Sequence, residues 1–565
     1  MKYIIYSFKE TMYRRYVLII VLLTTGFSFA QDIHNETPDD PYIYVSRESM
    51  PTGPSYEVRG SDIFTSQVNV DMDGNDMIGD AANEPSIAVD PTNPDRIVIG
   101  WRQFDTTASN FRQAGNGYSL DGGLTWTFPG VLNPGVFRSD PVLDFDANGN
   151  FYYNSLQGNF ACDVYKITDG GTDWGAPFPA GGGDKQWMRM DRTNGIGAGN
   201  NYSNWNVNFS TCAPGDFTRS TDGSNTFDPC VAVDNSPSWG TLAVDADGDL
   251  YIVGRNGGSI VVIKSTTAKD PSIIPVTWDA VNTVDLDGQL DAGIAPNPQG
   301  LLGQAWIDVD VSNGPGHGNV YVAASVNRIS NSDPGDVMFA KSTDGGVTFA
   351  APIRLNTDVS EDNYQWFGTM SVAPNGRIDV AWLDTRGAPS GTNMSRLFFT
   401  YSEDQGETWF PNTALSAAFD PNIGYPQQNK MGDYFDMVSD NNGAHLAWTN
   451  TINGGQDVYY SHITPSLLGI DDVSSDAVSD LKIYPNPFND QTTIAFYSEN
   501  DEKVTVEILN LLGQKVNILL DENVIGQQRL NWDGTNAKGV KLNSGLYFVS
   551  VLTKGSNYIS KVIIR

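Results

Sequence analysis

The sequence predicts an all-β chain: a β-propeller of seven blades, alternatively six, followed by a small C-terminal β-sandwich. Three observations carry this prediction. A polar turn motif recurs five times, an apolar strand–turn–strand unit recurs seven times around it, and residues 481–565 abandon both for plain strand alternation. Composition agrees: 57 glycines and 30 prolines provide for many tight turns, while 40% apolar residues provide a core. Only 18% of residues are charged, which speaks against disorder.

The turn motif is S-x-D-x-G-x-T-W/F. It is intact at 119–126 (SLDGGLTW), 342–349 (STDGGVTF) and 402–409 (SEDQGETW), and degenerate at 167–174 (ITDGGTDW) and 220–227 (STDGSNTF). Its logic is mechanical. The central carboxylate accepts N–H bonds inside the turn, glycine permits positive φ, and the terminal aromatic packs beneath the hairpin. The residues given this structural role are Asp121, Asp169, Asp222, Asp344 and Asp404.

The second unit is an apolar strand, a D/N/G turn and another apolar strand. Copies begin at Pro85, Asp140, Lys185, Trp239, Ala305, Trp366 and Tyr434, and the third is interrupted, which leaves six blades as the alternative. The seventh copy lacks the turn motif and an outer strand. Ser66–Asp71 (SQVNVD) precedes the first copy much as Ile353–Asp358 precedes the sixth, so the N-terminal segment is expected to complete the last blade and close the ring.

The ends of the chain read differently. Lys2, Lys9, Arg14 and Arg15, an apolar run to Phe27 and Ser28-Phe29-Ala30 form an export signal over residues 1–30. A lead-in segment (31–65), the propeller (66–465), a polar linker (466–480) and the C-terminal domain (481–565) follow. No later apolar run is long enough to span a bilayer, so no stable membrane insertion is expected. A formal charge of −33 argues against nucleic acid as a partner. Cys212 and Cys230 flank a predicted hairpin symmetrically about Thr221 and are expected to form a disulfide, leaving Cys162 as a core thiol.

Two resemblances sharpen this reading. The motifs SLDGGLTW, STDGGVTF and SEDQGETW resemble the Asp boxes, or BNR repeats, of the sialidase-like (neuraminidase-like) propeller superfamily, over about residues 66–465. That superfamily includes glycan-cleaving enzymes and non-catalytic propellers. Its sialidases use an arginine triad, a Tyr–Glu nucleophile pair and an Asp acid/base, and usually carry Arg-Ile-Pro near the first blade; that tripeptide is missing, and no catalytic residue is carried over. LKIYPNPF (481–488), VEILNLLGQKV (506–516) and SGLYFVSVLTKGSNYISKVIIR (544–565) resemble the type A sorting domain of the type IX secretion system. This second resemblance implies a Bacteroidetes-type source, contact with the type IX machinery, export through the periplasm and a secreted or cell-surface location.

A propeller places its Asp-box and D/N/G turns on one face, so the functional loops are expected on the opposite one. The repeat alignment puts Glu84, Asp140, Asp184, Asp384 and Tyr434 there as catalytic candidates, with Arg102, Arg255, Arg328, Arg386 and Trp101 as substrate-binding candidates. Arginine holds carboxylates and sulfates bidentately, and tryptophan stacks on sugar rings. A glycosidase needs two carboxyls about 5–10 Å apart. Against this, Trp187, Trp239, Trp306 and Trp366 fall at repeat-equivalent positions that suit blade packing. The four histidines include no i, i+4 pair, and Asp71-x-Asp73-x-Asn75 departs from a calcium loop at its sixth position, so no metal and no cofactor is expected. Two function classes follow: a secreted monomeric module that recognises an extracellular glycan or protein without sialidase-type chemistry, or a glycosidase-like carbohydrate-active enzyme. The missing Arg-Ile-Pro favours the first.

Overall fold

The computed structural model describes residues 40–60, 62–465, 478–510, 514–553 and 557–565. The export signal, residues 31–39 of the lead-in and residues 466–477 of the linker lie outside them. The chain is all-β, with 47% strand and 1% helix. It divides into two compact units, Met1–Ser466 and Leu467–Arg565.

The first unit is a series of antiparallel meanders. Ala81–Val89, Ile97–Phe104 and Gln113–Ser119 form the first sheet, with residues 127 and 132 bridging to its outer strand. Arg138–Phe145, Phe151–Gln157, Cys162–Ile167 and Phe178–Ala180 form the second. The third keeps the meander through its interruption: Trp187–Met190 pairs with Asn201–Asn204, which pairs with Phe217–Ser220. The following sheets start with the inner strands Leu242–Val244, Trp306–Val309, Gln365–Val372 and Asp436–Ser439. The last sheet takes its outer strand from the N-terminal segment, because Ile63–Gln67 pairs antiparallel with Asp457–Ile463, three residues earlier than SQVNVD begins.

The inner strands meet in cyclic order. Each touches the inner strand of the next sheet, and Asp436–Ser439 returns to Ala81–Val89. Such strands are apolar on both sides because both faces are covered; every residue of Ala81–Val89 is buried. Cys212 and Cys230 are joined, with Cα atoms 6.0 Å apart, and Cys162 is buried and unbridged.

Four of the five turn motifs hold the expected network. Asp121 accepts from the Ser119 hydroxyl (2.8 Å), the Thr125 amide (2.9 Å) and the Thr125 hydroxyl (2.7 Å). Asp222, Asp344 and Asp404 repeat it. Asp169 does not: Ile167 stands where the serine should be and Asp173 where the threonine should be, so the turn offers it only the Thr168 hydroxyl at 3.4 Å. The motif also joins sheets. A Cβ on Gly123 would lie 2.1 Å from the Tyr460 ring of the last sheet, and Trp126 packs on that ring at 5.5 Å.

The second unit is an antiparallel sheet in which Thr492–Leu509 is flanked by Val478–Tyr484, Lys515–Trp532 and Gly545–Leu552, the last pairing with Asn557–Ile564. Phe488, Phe496, Val506, Trp532 and Val549 are among its core residues. Its first strand begins at Val478, inside the span expected to be linker.

Candidate functional site

The two ends of the inner strands differ in kind. At their N-terminal ends, a β-bulge turns side chains inward. Glu84, Asp140 and Lys185 adopt φ of 55°, 45° and 56°, and the ladder register shifts beside Glu84 and Asp140. An L-residue in this left-handed region costs about 1–3 kcal/mol and persists where its surroundings hold it.

These bulges bring four of the five catalytic candidates together, but seal them. Lys185 Nζ lies 2.9 Å from Asp433 Oδ2, 3.0 Å from Asp184 Oδ1 and 3.5 Å from Asp140 Oδ2. Lys430 Nζ reaches Asp433 at 2.8 Å. Arg102 Nε lies 2.7 Å from Glu84 Oε2, and both side chains are fully buried. The Tyr434 hydroxyl donates to the Pro141 carbonyl at 2.7 Å. Four carboxylates face three cations, and burial pushes the Glu84 carboxyl up to about 7 against the pull of Arg102. Each charge lies beside an opposite one within the core, as buried charges must. The arrangement is a buried, internally paired charged plug.

The remaining candidates are separate. Asp384 is fully buried and accepts from Trp382 Nε1 (2.9 Å) and Arg386 Nε (2.8 Å). Arg328 is paired with Asp287 and Asp336, and a chain through Asn356 and Asp358 links this pair to Arg386. Arg255 stacks on Trp239, 4.3 Å from its ring centre. Trp101, expected to meet ligand, is fully buried against Phe128 and donates to Gln103; Gly115 and Gly117 in the neighbouring strand leave its ring a slot. Trp187, Trp239, Trp306 and Trp366 are buried packing residues. Asp71 accepts from the Asp73 and Asn75 amides as an ordinary polar turn.

The open space lies at the other end, among the D/N/G turns. A cavity of about 850 Å3 is lined by Val89, Phe145, Met190, Val244, Val309, Val372 and Ser439, the closing residues of all seven inner strands, and by Val438. Its polar wall includes Arg189, Arg192, Asp308 and Asn441. Arg192 pairs with Asp144, donates to the Phe145 carbonyl at 3.0 Å and covers the Phe145 ring. Burial works against the charge on Arg189, but Asp144, Asp308 and Asp436 outweigh it and raise its pKa. Burial likewise pushes Asp308 upward. The expectation that a site lies opposite the turns therefore meets a plug on that face and a cavity on the turn face. Arg189 and Arg192 lie in the interrupted third copy, where the repeat pattern marks no site position. The alternation of Met188, Arg189, Met190 and Arg192 was the available signal.

Similar solved structures include a Dyadobacter fermentans protein of unknown function (14% identity, TM-score 0.41, covering 72% of this chain and 98% of that one). Another is the endosialidase of phage phi92 (9% identity, TM-score 0.39, covering 89% and 87%). PorZ, a surface component of the type IX secretion system of Porphyromonas gingivalis, is similar at 14% identity and TM-score 0.27, covering 90% of this chain and 69% of that one. No curated protein matches. Residues 482–565 match the secretion system C-terminal sorting domain family, so the chain carries a type IX sorting domain and is exported to the cell surface or the extracellular space.

Proposed function

We propose that residues 63–465 form a seven-bladed, sialidase-like β-propeller that acts outside the cell as a monomeric recognition module, without sialidase-type chemistry. The cyclic contacts of seven inner strands support the blade count. The observation that carries the recognition reading is the contrast between the two ends of those strands. The carboxylates that a hydrolase would need are paired and buried at one end, while a roomy cavity lies at the other. At about 850 Å3 the cavity is in the range that holds a small ligand or the end of a larger one. An apolar floor with a few placed polar groups suits an extracellular glycan, whose ring C–H faces rest on Val and Met while its hydroxyls meet Arg189, Arg192 and Asp308.

A glycan array probed with the purified exported chain tests this, with chromogenic sialoside and polysaccharide cleavage run alongside. Saturable glycan binding without turnover is the expected result. Turnover abolished by Asp384→Asn or Glu84→Gln would replace the proposal with an enzyme.

A further inference from the structure

The closing sheet carries a second constellation, which Asp440 places at the wall of the same cavity. His445 and His462 are 17 positions apart but stand directly opposite each other on paired strands, with ring centres 4.8 Å apart. Asp440, on the turn before His445, completes the group: one ligand atom from each residue lies within 4.8 Å of the others. We infer that Asp440, His445 and His462 form a binding site for a divalent transition-metal ion of the zinc type.

Each ligand atom is prepared by a partner on its far side. Tyr460 Oη lies 2.8 Å from His445 Nδ1, and a proton on Nδ1, donated to that hydroxyl, leaves Nε2 as a lone-pair donor. His445 is 96% buried by its 4% exposure, yet Nε2 has no hydrogen-bond partner. Such an orphaned buried nitrogen costs free energy unless something meets it. Asp440 Oδ2 faces it at 3.5 Å. The other oxygen, Oδ1, is held by the amides of Asn442 and Gly443, both at 2.7 Å, which fixes the carboxylate's direction. This is how outer partners orient metal ligands elsewhere.

The spacing suits the ion. Zinc bonds of about 2.0–2.2 Å to nitrogen and oxygen place tetrahedral ligand atoms about 3.3 Å apart. The Asp440–His445 pair already has that separation within a few tenths of an ångström, and His462 lies within 4.8 Å of both, so its ring must move inward on binding. Gly443 makes the approach possible, since a Cβ there would lie 2.8 Å from His462 Nε2. Two imidazoles and one carboxylate select zinc, cobalt or nickel over calcium or magnesium, which require oxygen. The nearby Arg377 is no obstacle: its guanidinium is engaged by Asp379 at 2.8 Å and by the Asp440 carbonyl at 2.9 Å. Three protein ligands leave one position for water or a ligand atom.

The test uses the untagged full chain, stripped with a chelator, reloaded with Zn2+ and desalted. Elemental analysis is expected to find one retained zinc, and Co2+ in its place is expected to give the visible bands of a tetrahedral site. His462→Ala and Asp440→Asn, both at partly exposed positions, are each expected to lose the zinc and the cobalt bands while keeping the wild-type circular dichroism spectrum. Zinc should raise the Tm of the wild type and of neither variant. No retained zinc in the wild type, or unchanged retention in both folded variants, would overturn the assignment.

Discussion

Lys185 Nζ lies 2.9 Å from Asp433 Oδ2 at the centre of the inner-strand ring, and neither side chain reaches solvent. This contact joins the third sheet to the last, far apart in sequence, and anchors the plug. Removing one partner of a buried ion pair strands the other, which costs about 3–5 kcal/mol. Lys185→Met is therefore expected to lower the unfolding free energy by that amount in urea titrations. A loss below about 1 kcal/mol would mean that water reaches the cluster.

Buried carboxyls, Glu84 of the plug among them, also set a pH dependence. Burial pushes Glu84, Asp80 and Asp436 up to about 7, and Asp216 and Asp333 up to about 6. In the unfolded chain such groups ionise near 4 to 4.5, so between about pH 4.5 and 7 the unfolded state holds fewer protons than the native one. Stability falls as pH rises through that window. Below it the opposite group acts: hydrogen bonds within its turn hold Asp344 down at about 2, and its contribution is lost as pH falls towards that value. Calorimetry is expected to find the highest Tm near pH 5, with Glu84→Gln flattening the decline towards pH 8. A maximum at pH 8 or above would contradict the assignment.

The five turn motifs should differ in measurable ways. Asp121→Ala removes three hydrogen bonds and is expected to lower Tm by a few degrees, whereas Asp169→Ala, whose turn lacks the network, should leave it unchanged. Gly123→Ala should be worse than either, because its φ is +87° and the new methyl group would strike Tyr460. Equal effects of Asp121→Ala and Asp169→Ala would mean that the network is not what holds these turns.

Much of this fold was legible because repeats declare themselves. The spacing of the turn motif, the seven strand–turn–strand units and the strand donated by the N-terminal segment can each be read from residue order, as can the Cys212–Cys230 pairing. The site was less legible. That Glu84, Asp140, Asp184 and Tyr434 share one place followed from the repeat alignment. That the carboxylates are paired followed from Arg102, Lys185 and Lys430, whose approach depends on bulges that no local pattern announces. Trp101 looked like a platform because position in a repeat does not tell which side of the sheet a ring occupies. The His445–His462 pair was invisible to a search at helical spacing, since cross-strand partners are related by register and not by a fixed interval.

The recognition reading turns on whether ligand enters among the D/N/G turns. Val311 is 46% exposed at the wall of the cavity, so Val311→Trp narrows the opening without disturbing the core. Binding of the best array glycan to this variant, beside the wild type and Asp384→Asn, is the most direct measurement. The account predicts that Val311→Trp weakens binding at least tenfold, while Asp384→Asn binds as the wild type does. Full binding by Val311→Trp, with binding lost in Asp384→Asn, would place the site on the opposite face and contradict it.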